Sequence, residues 1–143
     1  MATVRAQLGP GVTTEITARQ HTWLADEPVS LGGSDEGPNP YELLLGSLAA
    51  CITITLRLYA NHKGIALDGV DVDIEFDRVH AEDCMECDDP GGGLIERMRS
   101  RVTFRGTFDE AQRKRLAQVA QRCPVHKTLA RGVQIFDSVS FGE

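Results

Sequence analysis

The first thirty residues read as short strands joined by turns. Gly9-Pro10-Gly11 separates a predicted strand at Thr3–Leu8 from one at Val12–Ala18, and a third is expected from Gln20 to Ala25. The glycine-rich run Leu31–Asn39 follows. It lacks a P-loop lysine and does not fit a dinucleotide fingerprint, so it is expected to be a plain connector.

The next pattern is different in kind. Asn39 can cap a helix, Pro40 suits its first position, and Glu42 stands where a capping-box acid belongs. From Tyr41 to about His62 the positions are apolar nearly all round, among them Leu43, Leu44, Leu45, Leu48, Cys51, Ile52, Ile54, Leu56 and Leu58. A helix apolar on every face is expected to be buried on every face. It would run about 30 Å at about 1.5 Å per residue, more than one short chain readily covers, so dimerisation is expected. Its most apolar run, Leu43–Ile54, spans about a dozen residues against the ~20 a bilayer needs. A core helix is therefore expected there.

Period-two alternation then returns. Val70, Val72, Ile74 and Phe76 alternate with Asp71, Asp73, Glu75 and Asp77 over Val70–Val79. Over Ile95–Gly106, Met98, Val102 and Phe104 alternate with Arg97, Arg99, Arg101 and Arg105. Paired antiparallel, the two strands would match acids to arginines, each pair contributing about 0.2–1 kcal/mol. Asp109 to Gln112 opens a second helix with another capping-box pattern, its apolar stripe running through Leu116, Val119, Ala120 and Cys123. Pro124 interrupts, a short helix runs to Arg131, and Gly132 ends it. Val133, Ile135, Val139 and Phe141 predict a closing strand. The order of elements predicts one α+β domain over residues 1–143.

Composition narrows the function. The chain of 143 residues is 41% hydrophobic and carries a formal net charge of −6, which argues for a globular protein and against a nucleic-acid partner. The N-terminus shows no basic region followed by an apolar run, so no secretory signal is expected. Four cysteines in such a chain suggest reduced thiols in a cytoplasmic setting.

Each cysteine has a plain reading and a chemical one. Cys51 lies mid-helix, where burial alone makes a thiol inert and the helix dipole gives little help. Reactivity there requires a cation from another element. Cys123 precedes Pro124 at a helix N-terminus, where free N–H groups favour a thiolate and His126 and Lys127 can add charge. Local chemistry alone favours Cys123 as the nucleophile, with a core cysteine as the plain alternative. Cys84 and Cys87 form a C-x-x-C that, with His80, offers three metal ligands where a closed zinc site needs four. An accessory redox role is the other chemical reading of that loop.

The segment Gly37-Pro-Asn-Pro-Tyr-Glu-Leu-Leu-Leu-Gly-Ser-Leu-Ala-Ala-Cys51, followed by Arg122-Cys-Pro-Val-His-Lys-Thr-Leu129, is similar to the OsmC/Ohr family, as is the leading stretch Ala18–Pro28. The resemblance covers nearly the whole chain. It implies an intertwined α+β homodimer, and reduction of organic hydroperoxides or hydrogen peroxide at a site on the subunit interface. It implies that Cys51 attacks as a thiolate and that Cys123 resolves the resulting sulfenic acid into a disulfide. No tightly bound cofactor is implied. A lipoyl-type dithiol, free or on a lipoylated protein, would restore both thiols, with no nucleic acid or membrane as partner. Arg19, the one cation on the expected second and third strands, is the candidate to activate Cys51. The chain departs from the family pattern at Tyr41, a substrate-pocket candidate. Peroxide-reducing relatives place there a glutamate that partners the arginine. Glu42, one position later, is expected to cap the helix. A non-catalytic ligand-binding or oxidation-sensing module is the competing function.

Overall fold

Short polar turns fold the N-terminal strands back on each other. In the computed structural model, which describes residues 1–80, 83–84 and 93–142, β1 (Arg5–Leu8), β2 (Thr14–Ala18) and β3 (His21–Ala25) form an antiparallel sheet in that order. Ala18 pairs with His21, leaving Arg19 and Gln20 as a two-residue hairpin turn. Arg19 has φ 54, the positive value that such turns demand at their first central position. It therefore sits in the turn and not on a strand as expected.

The glycine-rich stretch is more than a connector. A 3₁₀ turn at Val29–Leu31 opens it, and the chain then winds round the carboxylate of Asp26. Asp26 accepts hydrogen bonds from the Thr13 hydroxyl at 2.7 Å and from the N–H groups of Glu27, Ser34 and Glu36 at 2.8, 3.3 and 3.2 Å. It is 2% exposed. The Thr13 bond outweighs the opposing effect of burial and, helped by the three amides, holds this carboxyl at about 2. Side chains are excluded at Gly33 and Gly37, where a Cβ would run into the carbonyls of Glu27 and Leu24.

Helix α1 (Pro40–Lys63) starts with the expected capping box. The Asn39 side chain accepts from the Glu42 N–H at 2.8 Å, and Glu42 accepts from the Asn39 N–H at 3.0 Å. Gly64, at φ 67, ends it, and the Ile65 N–H reaches back to the Ala60 carbonyl at 2.9 Å. The expectation of burial on every face does not hold within the chain. Leu48, Ile52, Leu56 and Ala60, spaced four apart, form one buried stripe, while Ile54 and Leu58 are exposed. At 24 residues α1 is also long and apolar enough to cross a bilayer, which the shorter run Leu43–Ile54 is not.

The chain divides into two compact units, Met1–Ser47 and Leu48–Glu143. In the second unit β4 (Leu67–His80) pairs antiparallel with β5 (Leu94–Gly106). Both strands are slightly longer than predicted, and the register puts Asp73, Glu75 and Asp77 opposite Arg101, Arg99 and Arg97. The guanidinium of Arg97 grips Asp77 at 2.6 and 3.0 Å, and that of Arg105 grips Asp71 diagonally at 3.0 and 3.3 Å. Helix α2 (Glu110–Ala120) carries the Asp109/Gln112 capping box, and α3 (Pro124–Arg131) starts after Cys123 and stops at Gly132.

The buried stripe of α1 packs with Leu67, Leu116, Val119 and Cys123, and the inner residues of β4 and β5 close over it. Leu56 and Leu116 are wholly buried, each contributing about 1.5–3 kcal/mol. Among the described residues the fold is α+β, with three α-helices and two antiparallel sheets. The predicted closing strand is not formed. Val133, Ile135, Val139 and Phe141 are 64–88% exposed and pair with no strand among the described residues. Alternation alone makes no strand, because each needs a neighbouring edge for its hydrogen bonds.

Candidate active site

Two elements of the second unit bring two sulfurs together. Cys51 lies on the flank of the buried stripe of α1 and is half-buried, while Cys123 caps α3 and is fully buried. Both are free thiols. The local sequence dictates how α3 meets them. Pro124 occupies the first helical position and has no N–H, so the first free amides of the helix belong to Val125 and His126. The Val125 N–H donates to Cys51 Sγ at 3.4 Å, and the His126 N–H donates to Cys123 Sγ at 3.4 Å. One helix terminus thus serves both cysteines.

This arrangement differs from the one local sequence chemistry favours. The free N–H groups were expected to serve Cys123 alone, but one of them points at Cys51. His126 acts on Cys123 through its backbone, and both His126 and Lys127 have exposed side chains. Burial pushes the Cys123 thiol up from its ordinary value. The His126 amide opposes that shift, and the neighbouring Cys51 sulfur adds to it. A second group lies beside Cys51: the Thr55 hydroxyl, one turn along α1, with Oγ1 4.0 Å from Sγ. Neither the Val125 amide nor Thr55 was found from sequence. The Pro at 124 was the available signal for the first, and the spacing of four for the second.

Tyr41 and Arg19 belong to the first unit. Tyr41 is an exposed residue in the first turn of α1, beside a Glu42 already engaged in the cap. Arg19 is exposed, with its guanidinium 3.5 Å from the Gln20 side-chain oxygen. His80 ends β4 opposite Leu94. Cys84 is buried and disulfide-bonded, so it is not the reduced thiol expected, and its sulfur accepts from Arg97 at 3.7 Å. Cys87 lies outside the described residues. Among the described residues no group of three His, Cys, Asp or Glu side chains could hold a metal ion.

The fold recurs in solved structures. An OsmC-like protein from Mycoplasma pneumoniae aligns with a TM-score of 0.70 at 23% identity, over 91% of this chain and 87% of that one. The organic hydroperoxide resistance protein OsmC of Legionella pneumophila aligns at 0.59 and 22% identity, over 89% and 87%. The organic hydroperoxide resistance protein OhrB of Bacillus subtilis aligns at 0.52 and 24% identity, over 92% and 91%. No curated protein sequence matches. The family model for OsmC-like proteins matches residues 33–136, a span that holds both free cysteines and the whole of α1, α2 and α3. The chain belongs to the OsmC-like protein family.

Proposed function

We propose that the protein is a two-cysteine thiol peroxidase that reduces organic hydroperoxides or hydrogen peroxide. The observation that carries this reading is the pair of adjacent free thiols, of which the more exposed one, Cys51, receives an amide from the start of α3. Helix N-termini favour negative charge, which suits a thiolate at Cys51. Full burial favours the neutral thiol at Cys123. The two environments divide the labour between attack and resolution. The names of the Legionella and Bacillus structures support the same class of substrate.

The chemistry runs in three balanced steps. The Cys51 thiolate attacks the peroxide, forming an S–O bond as the O–O bond breaks, and the departing alkoxide takes a proton to leave as alcohol. The Cys123 thiol then attacks the sulfenic sulfur, and an S–S bond forms with loss of water. A dithiol of the lipoyl type restores both thiols by exchange and becomes a disulfide itself. On this reading Arg19 is the activating cation and Tyr41 lines the substrate pocket. We also propose a homodimer, because Ile54, Leu58 and the apolar side chains of Val133–Phe141 are exposed in the single chain.

One observation favours a second reading. Glu42 is committed to the α1 cap and Tyr41 stands in the position where peroxide-reducing relatives carry glutamate. A module that binds a ligand or senses oxidation would need no such acid. Consumption of cumene hydroperoxide with a dihydrolipoyl reductant separates the two. A peroxidase loses catalytic turnover in both Cys51→Ser and Cys123→Ser, with Cys123→Ser still consuming one equivalent. A folded wild-type protein without turnover would overturn the peroxidase in favour of binding or sensing.

A further inference from the structure

Helix α1 carries two threonines, two and four residues after Cys51, and they behave differently. Thr53 makes the bond usual for a helical threonine, donating to the backbone carbonyl of Ala50 at 3.0 Å. Thr55 makes no such bond among the described residues. Its hydroxyl oxygen has one hydrogen-bonding neighbour there, Cys51 Sγ, at 4.0 Å. The reason is geometric. Side chains on an α-helix lean toward its N-terminus, so a residue at i+4 reaches back over residue i. A helical threonine divides between two rotamers, and Thr55 occupies one that turns its hydroxyl to the sulfur.

We infer that Thr55 is a further catalytic residue, whose hydroxyl donates a hydrogen bond to the Cys51 thiolate. The inference rests on the reading of Cys51 as the attacking sulfur. The two donors are unlike. The Val125 N–H is fixed in the backbone and can only donate, whereas a hydroxyl rotates and can donate or accept. At 4.0 Å the contact is long for a neutral thiol, and bonds to an ionised acceptor are shorter and stronger. Loss of the Cys51 proton therefore draws the Thr55 hydroxyl in. When the peroxide O–O bond breaks, charge leaves the sulfur for the alkoxide. The same hydroxyl can then turn to accept from the sulfenic O–H, so it follows the sulfur through the step while the amide does not.

The test is the rate of Cys51 alkylation by iodoacetamide as a function of pH, read peptide by peptide by mass spectrometry. It needs no peroxide and no reductant. Thr55→Val keeps the shape and removes the hydroxyl. Its Cys51 alkylation at pH 7 should be about tenfold slower than wild type, with the profile displaced to higher pH. Thr55→Ser should restore it, and Thr55→Ala should reproduce the loss should the valine disturb the helix. Equal rates in wild type and Thr55→Val, or equal losses in Thr55→Ser and Thr55→Val, would overturn the inference. Failure of the parent reading looks different: folded wild type would show no peroxide turnover, or Cys51→Ser would retain it, whatever the alkylation profiles show.

Discussion

The backbone N–H of Val125 donates to the sulfur of Cys51 across 74 residues of chain. A residue in the middle of a helix thereby gains the terminus of another helix as its electrostatic neighbour. Position along its own helix would deny Cys51 any such help. Packing supplies it.

The Cys123 thiol should behave as the harder of the two to ionise. Its value is pushed up from an ordinary 9.0, first by burial. At neutral pH, alkylation of native protein should therefore favour Cys51, with Cys123 modified only as the solution becomes alkaline. The thermodynamic sign follows from the same shift. A thiol raised in the folded state gives stability that is whole below 9.0 and is lost as pH climbs through the folded-state value. Thermal unfolding from pH 7 to 11 should show a decline above pH 9 that is shallower in Cys123→Ala.

Asp26 should make the first unit sensitive to acid. Its carboxyl is held at about 2, against 3.8 in an unconstrained aspartate. A depressed value means stability that is present above 3.8 and is lost as pH falls toward 2. Asp26→Asn would turn an amide NH₂ or its oxygen toward the Glu36 and Ser34 N–H groups, one of which must then lose its acceptor. Hydrogen exchange at whichever of Ser34 and Glu36 faces the new NH₂ should be faster in the variant at pH 7. The difference should shrink as wild type is taken to pH 2.

Arg19 offers a separation of activity from stability. Its left-handed backbone costs a non-glycine residue about 1–2 kcal/mol, while a glycine there loses about 0.5–1 kcal/mol in chain entropy. The first is the larger, so Arg19→Gly should be as stable as wild type or up to about 1.5 kcal/mol more so. Its peroxide turnover should nonetheless drop about 100-fold or more should Arg19 activate the thiolate. Arg19→Lys keeps the charge and the strained backbone but not the planar fork, and should recover only part of the rate. Turnover unchanged in Arg19→Gly would remove Arg19 from the mechanism.

Much of the framework was legible because it is written in side chains of short range. Asn39 with Glu42 and Asp109 with Gln112 announce helix starts through bonds three residues apart, and Pro124 and Gly132 mark the two ends of α3 by their backbone chemistry. The acidic and basic faces of β4 and β5 announced their own pairing. What was missed depends on contacts that leave no local mark. The Val125 amide is a backbone group, which every residue but proline has, and only the packing of α3 on α1 selects it. The amides that fix Asp26 are equally anonymous. The reading of α1 as buried all round failed for another reason, since apolarity tells what a helix needs covered and not which chain covers it.

The hairpin of β4 and β5 carries a further consequence. In the observed register four acids face four arginines: Asp73 with Arg101, Glu75 with Arg99, Asp77 with Arg97, and Glu96 with Arg78. Sliding one strand by two residues either way would give only three, either Asp71–Arg105, Glu75–Arg101 and Asp77–Arg99, or Asp71–Arg101, Asp73–Arg99 and Glu75–Arg97. Such a slip also keeps every side chain on its own face, unlike a slip of one. The charges thus favour the observed setting, because either slip sets Arg78 opposite Met98 or Leu94 and loses its pairing with Glu96. A vernier needs one unique mark to be read, and here the mark is the one reversed pair, an arginine on the acidic strand facing a glutamate on the basic one.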